Sequence, residues 1–194
     1  GLHFYEEPCI SGTQGSGAIF FSGCNMRCVF CQNHDISTRL CGAETDAAAL
    51  AEIMLSLQSR GAHNINLVTA APHSHIMADS IISAREMGLA IPIVYNTNSY
   101  ETVEALRALD GLVDVYLPDL KYTSSAAAAR HSGTADYFTY AAPAIMEMQR
   151  QAGMLCVGED GLARRGMIIR HLVLPGSVGE ARSVLRFIAD NLPR

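Results

Sequence analysis

The chain is predicted to have an α/β fold built on a parallel sheet, and two observations predict it. Short apolar runs alternate along the sequence with amphipathic stretches of helical period, as repeated βαβ units do. Polar residues of chemical interest recur just after those apolar runs, where a parallel sheet places its chemistry. At 194 residues the chain suits one domain, 1–194, with a substantial core; no internal repeat, linker or low-complexity tract divides it.

The first strand is Gly17–Phe21, and it leads straight into a cysteine-rich run. A helix opening near Thr45 or Asp46 follows, with Leu50, Ile53, Met54 and Leu57 at helical spacing and Gly61 as its stop. The second strand is Ile65–Val68, and a helix runs from about His73 to Met87, ending at Gly88. Ile91–Tyr95 is the third strand, with a short helix over Glu101–Leu109 behind it. Val113–Leu117 is the fourth, and the alanine-rich segment Ser124–Gln151 reads as helix in two pieces broken around Gly133. Met167–Leu174 is the fifth strand; a final helix after Gly179 puts Ala181, Val184, Leu185 and Ile188 on one face. Five βα units give an incomplete barrel. The sequence stops at Arg194 where a sixth strand is due and starts at Gly1 without an initiator Met, so truncation at both ends is expected.

Composition narrows the function classes. About half the residues are apolar and 17% are charged, which suits neither a disordered nor a fibrous chain. A net charge of −5 leaves no electrostatic footprint for nucleic acid. No stretch approaches the ~20 uninterrupted apolar residues that a membrane span needs, and no basic-then-apolar leader opens the chain. The six cysteines do not read as a disulfide scaffold; thiolate ligands in a reducing, cytoplasmic setting suit them better.

The run Ser22-Gly-Cys24-Asn-Met-Arg-Cys28-Val-Phe-Cys31-Gln-Asn33 spaces three cysteines as C-x3-C-x2-C. Structural zinc usually takes four Cys or His ligands, often as two separated pairs, and no second pair is present. An electron-transfer ferredoxin starts C-x2-C-x2-C, one residue tighter than this run. The loop resembles that of the radical S-adenosylmethionine (SAM) superfamily, which holds a [4Fe–4S] cluster on three cysteines and leaves the fourth iron for SAM. That resemblance implies a partial (β/α)6 barrel, here lacking its sixth strand, with Cys24, Cys28 and Cys31 as iron ligands. It puts Phe30 against the adenine of SAM, where ordinary packing beside the cluster is the alternative. Asn33, two residues past the last cysteine, matches enzymes that activate glycyl radical proteins. Arg27 reads as a solvated loop or docking residue.

The strand ends supply the remaining candidates. After the second strand, Thr69-Ala70-Ala71-Pro72-His73 stands where the superfamily carries a Gly-Gly-Glu-like element that meets the SAM amino group; the carboxylate is missing, which leaves backbone acceptors and the Thr69 hydroxyl. His73 and His75, at i, i+2 spacing, cannot form a metal pair on a helix. The third strand ends in Asn96-Thr97-Asn98-Ser99, similar to the Asp-Thr-Asn-Gly of the activases and suited to ribose hydroxyls or the SAM carboxylate; a plain polar turn is the alternative. Asp119-Leu120-Lys121 matches the activases in full, with Lys121 expected to neutralise the SAM carboxylate and Asp119 to orient it or hold a hydroxyl. Pro118 suggests that strand pairing has already ceased there. Arg170 and His171 are adjacent on the fifth strand, so one at most points inward. Cys9 reads as a buried thiol, and Cys41 and Cys156 as structural.

Taken along nearly the whole chain, the pattern resembles a branch of radical SAM proteins labelled pyruvate formate-lyase activating enzyme-like. The resemblance implies reductive cleavage of SAM to methionine and a 5′-deoxyadenosyl radical. The radical then takes a hydrogen atom from a substrate, either a backbone glycine of a partner enzyme or a small molecule or other macromolecule. A low-potential donor such as flavodoxin or ferredoxin would supply the electron. An electron carrier with no enzymatic role is the reading of a different class.

Overall fold

The computed structural model describes residues 1–39 and 41–193. In chain order the strands are β1 (Leu2–His3), β2 (Ser16–Phe20), β3 (Ile65–Val68), β4 (Ile93–Thr97), β5 (Val115–Pro118), β6 (Cys156–Val157) and β7 (Ala163–Met167). The helices are α1 (Pro8–Ser11), α2 (His34–Thr38), α3 (Ala47–Ser59), α4 (Ser74–Glu86), α5 (Val103–Arg107), α6 (Ser125–Ser132), α7 (Tyr137–Ala152) and α8 (Val178–Asn191), with a 3-10 turn, Ala71–His73, leading into α4. The strands form one sheet in the order β1-β2-β3-β4-β5-β7-β6. β2, β3, β4, β5 and β7 are parallel, and β1 and β6 pair antiparallel at the two edges. The edges do not meet, so the sheet stays open as part of a barrel.

Strand alternation sorts the side chains onto two faces. Ile65, Leu67, Ile93, Tyr95 and Tyr116 pack outward against Leu50, Met54 and Leu57 of α3, Met77 and Ile81 of α4, and Ala144 and Met148 of α7. Val94, Val115, Leu117 and Ala163 face inward and close on Ile10 of α1, which is fully buried there. A third cluster joins Met26, Leu120, Tyr122, Ala128, Tyr137 and Val184, with the half-buried Cys24, Cys28 and Phe30 packed against it. Local signals start the helices: Asp46, Thr102 and Ser124 each cap with a side-chain oxygen that accepts a backbone N–H of the first turn. Gly133, at φ 68, ends α6 in the left-handed conformation and separates it from α7.

The five parallel strands are those the sequence predicts; Ile65–Val68 keeps its predicted bounds and the other four are shifted. The third begins at Ile93, not Ile91, because Pro92 has no N–H to give and the Ile93 N–H is taken by the Asp114 carboxylate at 2.7 Å. The fifth begins at Ala163, in a hairpin with β6 that needs Gly166 at φ 118; a Cβ there would fall 2.4 Å from Leu155 Cα. Its ladder runs on to Arg170, whose N–H donates to the Pro118 carbonyl at 2.9 Å. Beyond that the chain leaves the sheet, and Leu172 and Val173 are exposed. Pairing has not ceased at Pro118 either: its carbonyl is used, and the next N–H, of Asp119, donates to Thr97 at 2.8 Å. Ile53 and Leu185, placed on buried faces by periodicity, are exposed, as are Cys41 and Cys156. Among the described residues no helix is long and apolar enough to cross a membrane.

Candidate functional site

β2 ends at Phe20 and delivers the chain to Gly23, whose φ of 81 turns it into the cysteine loop. Two contacts fix that entry: Gly23 N–H donates to the Ile36 carbonyl at 2.8 Å, and His73 Nε2 donates to the Ser22 carbonyl at 2.9 Å, its ring packed on Phe21. The middle of the loop is docked on the end of α6, with Arg27 N–H on the Ser132 carbonyl at 3.1 Å and Val29 N–H on the His131 carbonyl at 2.9 Å. The Arg27 guanidinium folds back to the carbonyls of Cys24 and Met26, bracing the loop backbone.

Cys24, Cys28 and Cys31 are free and half-buried, and each sulfur faces a polar neighbour from another part of the chain. Asn98 Nδ2 reaches Cys24 Sγ at 3.4 Å, Ser132 Oγ reaches Cys28 Sγ at 3.0 Å, and Ser37 Oγ lies 3.4 Å from Cys31 Sγ. Burial pushes the Cys28 thiol up, as do the neighbouring cysteines, while the Ser132 hydrogen bond and the Lys121 charge pull the other way. Among the described residues no three His, Cys, Asp or Glu side chains converge as one metal ion would require. Thiols spread along a braced loop, each beside a polar group, fit separate corners of a multi-iron cluster.

Opposite the loop, the ends of β4 and β5 are tied together by one buried phenol. Tyr137 Oη accepts the Lys121 N–H at 3.0 Å and lies 2.7 Å from the Asp119 carbonyl and 2.9 Å from that of Asn98. Burial drives its pKa well above the usual phenol value, so it stays a neutral hydrogen-bonding group. Asn98 also bonds Asn25 Oδ1 at 2.8 Å, latching this strand end to the cysteine loop. Lys121 Nζ pairs with Asp119 Oδ2 at 2.6 Å and stands 6.0 Å from the centre of the Phe30 ring.

Arg170 and His171 diverge, as adjacent strand residues must. Arg170 turns inward, pairing with Glu6 at 3.1 Å and Asp119 at 3.3 Å and bonding the Asn96 amide oxygen. His171 lies on the other side, its Nδ1 donating to the Leu120 carbonyl at 2.7 Å, and lines a small crevice with Lys121, Tyr122, His131 and Glu180. Thr97 faces the outer side, where its hydroxyl and that of Tyr95 hold the buried Glu101 carboxylate. Desolvation raises the pKa of Glu101 against the pull of those bonds. Thr69 takes φ 63 right after β3, the Ala70 carbonyl accepts His73 N–H at 2.8 Å, and the Ala71 carbonyl accepts Ser74 N–H. Asn33 is exposed at the start of α2.

Glu6, Asn66, Tyr137 and Ser132 escape sequence reading. Glu6 binds both Asn66 and Arg170 from the N-terminal segment, a link across the sheet that no local pattern encodes. Tyr137 and Ser132 lie in an alanine-rich helical segment and carry no motif of their own.

An open, mostly parallel α/β sheet whose first parallel strand feeds three free thiols defines a class: a partial barrel with thiolate ligands for an iron–sulfur centre. The sequence model of the Radical SAM superfamily matches residues 18–145, and the chain belongs to that superfamily. Its cofactors are accordingly a [4Fe–4S] cluster and SAM. Uncharacterized protein MJ0674 of Methanocaldococcus jannaschii is 32% identical over 200 aligned positions, 98% of this chain and 53% of that protein. The chain thus spans about half the length of that curated relative. Streptococcus suis SuiB shares the fold at a TM-score of 0.59 and 15% identity, over 90% of this chain and 37% of that one. SuiB structures bound to S-adenosylmethionine and to the precursor peptide SuiA align at the same score and identity, over 92% and 90% of this chain and 39% and 36% of those chains.

Proposed function

We propose that this chain cleaves SAM reductively and uses the resulting radical on a polypeptide substrate, a backbone glycine of a partner enzyme being the specific form. One observation carries the reading: three free thiols, each with a polar neighbour, sit on a braced loop across from the Lys121 ammonium. Cys24, Cys28 and Cys31 would hold the cluster, which when bound would supply the electron for reductive cleavage of SAM to methionine and the 5′-deoxyadenosyl group that would take the substrate's hydrogen atom.

The chain's own residues bind and orient. Lys121, aimed by Asp119 at 2.6 Å, neutralises the methionyl carboxylate. Thr69, whose N–H still donates to the Asn96 carbonyl at 3.0 Å, takes φ 63 and offers its own carbonyl to the SAM ammonium while its neighbours' carbonyls serve the turn into α4. Phe30 gives an apolar face beside that cation for the adenine. Arg170, Asn96 and Glu6 line the inner face below with fixed charges and amides. The electron comes from a low-potential protein such as flavodoxin or ferredoxin. The Asp119-Leu120-Lys121 element and the peptide-bound SuiB structure support a polypeptide substrate.

Anaerobically reconstituted protein, given SAM and dithionite, is expected to form 5′-deoxyadenosine, measured by chromatography. None at full iron and sulfide content would overturn the reading. A glycyl radical EPR doublet on a co-expressed partner supports the activase form, and its absence with product on a small molecule would refute it. Lys121→Met is expected to weaken SAM binding about tenfold in equilibrium dialysis while iron content holds, because an aimed carboxylate contact is lost.

A further inference from the structure

Of the three cysteine sulfurs, only that of Cys28 receives a hydrogen bond whose proton can be traced through a buried chain. Ser132 is 1% exposed and Tyr122 2% exposed, and their hydroxyls lie 2.8 Å apart. Each hydroxyl has one proton to give. Ser132 Oγ sits 3.0 Å from Cys28 Sγ, and a metal-bound thiolate can only accept. The Ser132 proton therefore goes to the sulfur, and Tyr122 supplies its own proton to Ser132. The other two contacts differ. Ser37 sits 3.1 Å from the His34 carbonyl, which takes its proton, and Asn98 shares its amide between Cys24 and Asn25 at 3.4 and 2.8 Å.

The backbone holds this arrangement in register. Ser132 is the last residue of α6, and its carbonyl and that of His131 take the N–H groups on either side of Cys28. The half-buried sulfur and the buried hydroxyl are thus fixed by the same docking contact.

We infer that Ser132, held by Tyr122, is a positioning residue that sets the reduction potential of the cluster through the Cys28 sulfur. The inference rests on the cluster assignment above. A reduced cluster carries one more negative charge, shared with its thiolates, so a donor on a sulfur stabilises the reduced form more than the oxidised one. Removing the donor makes the cluster harder to reduce.

The test is an EPR-monitored redox titration of the full chain, reconstituted anaerobically, with iron and sulfide content measured beside it. Ser132→Ala is expected to lower the equilibrium constant for one-electron reduction about tenfold, a midpoint about 59 mV more negative. Ser132→Thr, which keeps the hydroxyl, is expected to restore the midpoint, and Ser37→Ala to leave it in place. Should Ser132→Ala fail to fold, Tyr122→Phe is read instead; it leaves the serine but removes the donor behind it, and a smaller shift of the same sign is expected. An unshifted midpoint in whichever of these two variants is read, at full cluster content, overturns the inference. Wild-type protein that takes up no cluster would overturn the cluster assignment itself, a separate result.

Discussion

Thr69 holds a backbone angle, φ 63, that costs an L residue about 1–2 kcal/mol, and a β-branched side chain makes it worse. Ser99, at φ 65, is the matching case one strand along, and both lie just past the C-terminal ends of parallel strands. Strain gathered at that edge fits a surface shaped for a ligand rather than for stability. Thr69→Gly is expected to stabilise the fold by about 0.5–1 kcal/mol after the entropy of the unfolded glycine is subtracted, seen as a higher urea midpoint; a lower midpoint would refute the strain argument. Sequence alone identifies the position but not the angle, because nothing in Thr69-Ala70-Ala71 signals a left-handed residue. It likewise identifies Arg170 and His171 as a pair with opposite orientations. Choosing between them needed Glu6 and Asn96, which are 164 and 74 residues from Arg170.

Among the elements, α8 packs Val184 into the third cluster and is tied at its start by one carboxylate. Glu180 in its first turn accepts from the N–H and hydroxyl of Thr123 and from the N–H of Ser124. Burial alone would raise its pKa, but those three bonds outweigh it and bring the pKa below the ordinary 4.5. A carboxyl depressed in the folded state adds stability above its unfolded pKa and loses it as pH falls through the folded one. Glu180→Gln is therefore expected to cost about 1–2 kcal/mol at neutral pH, read from urea midpoints, with the gap to wild type closing below pH 4.5. A gap that is constant with pH would sink this account. Helices with a capping residue and a glycine stop, such as α3 and α6, were legible from sequence. β1, β6, α1 and α2 were not: at two to five residues each they are too short to carry a period.

For the molecule as a whole, the open sheet has an inner face that, among the described residues, no second layer of strands covers, and the N-terminal segment fills it. Ile10 is fully buried against Val94, Val115, Leu117 and Ala163, so Ile10→Ala is expected to cost about 2–5 kcal/mol in chemical denaturation. A loss below about 1 kcal/mol would show that α1 is only draped on the sheet. The alternation of strands and helices made the parallel sheet legible, because each βαβ unit is local; the plug was not, since it comes from before the first parallel strand. The Glu6–Arg170 pair carries the same geometry into the order of folding. It closes a loop of 164 residues, and contacts so distant in sequence are entropically the last to form. The cysteines at 24, 28 and 31 are synthesised long before Arg170, so the thiol loop is made well ahead of the residue that completes its charged floor.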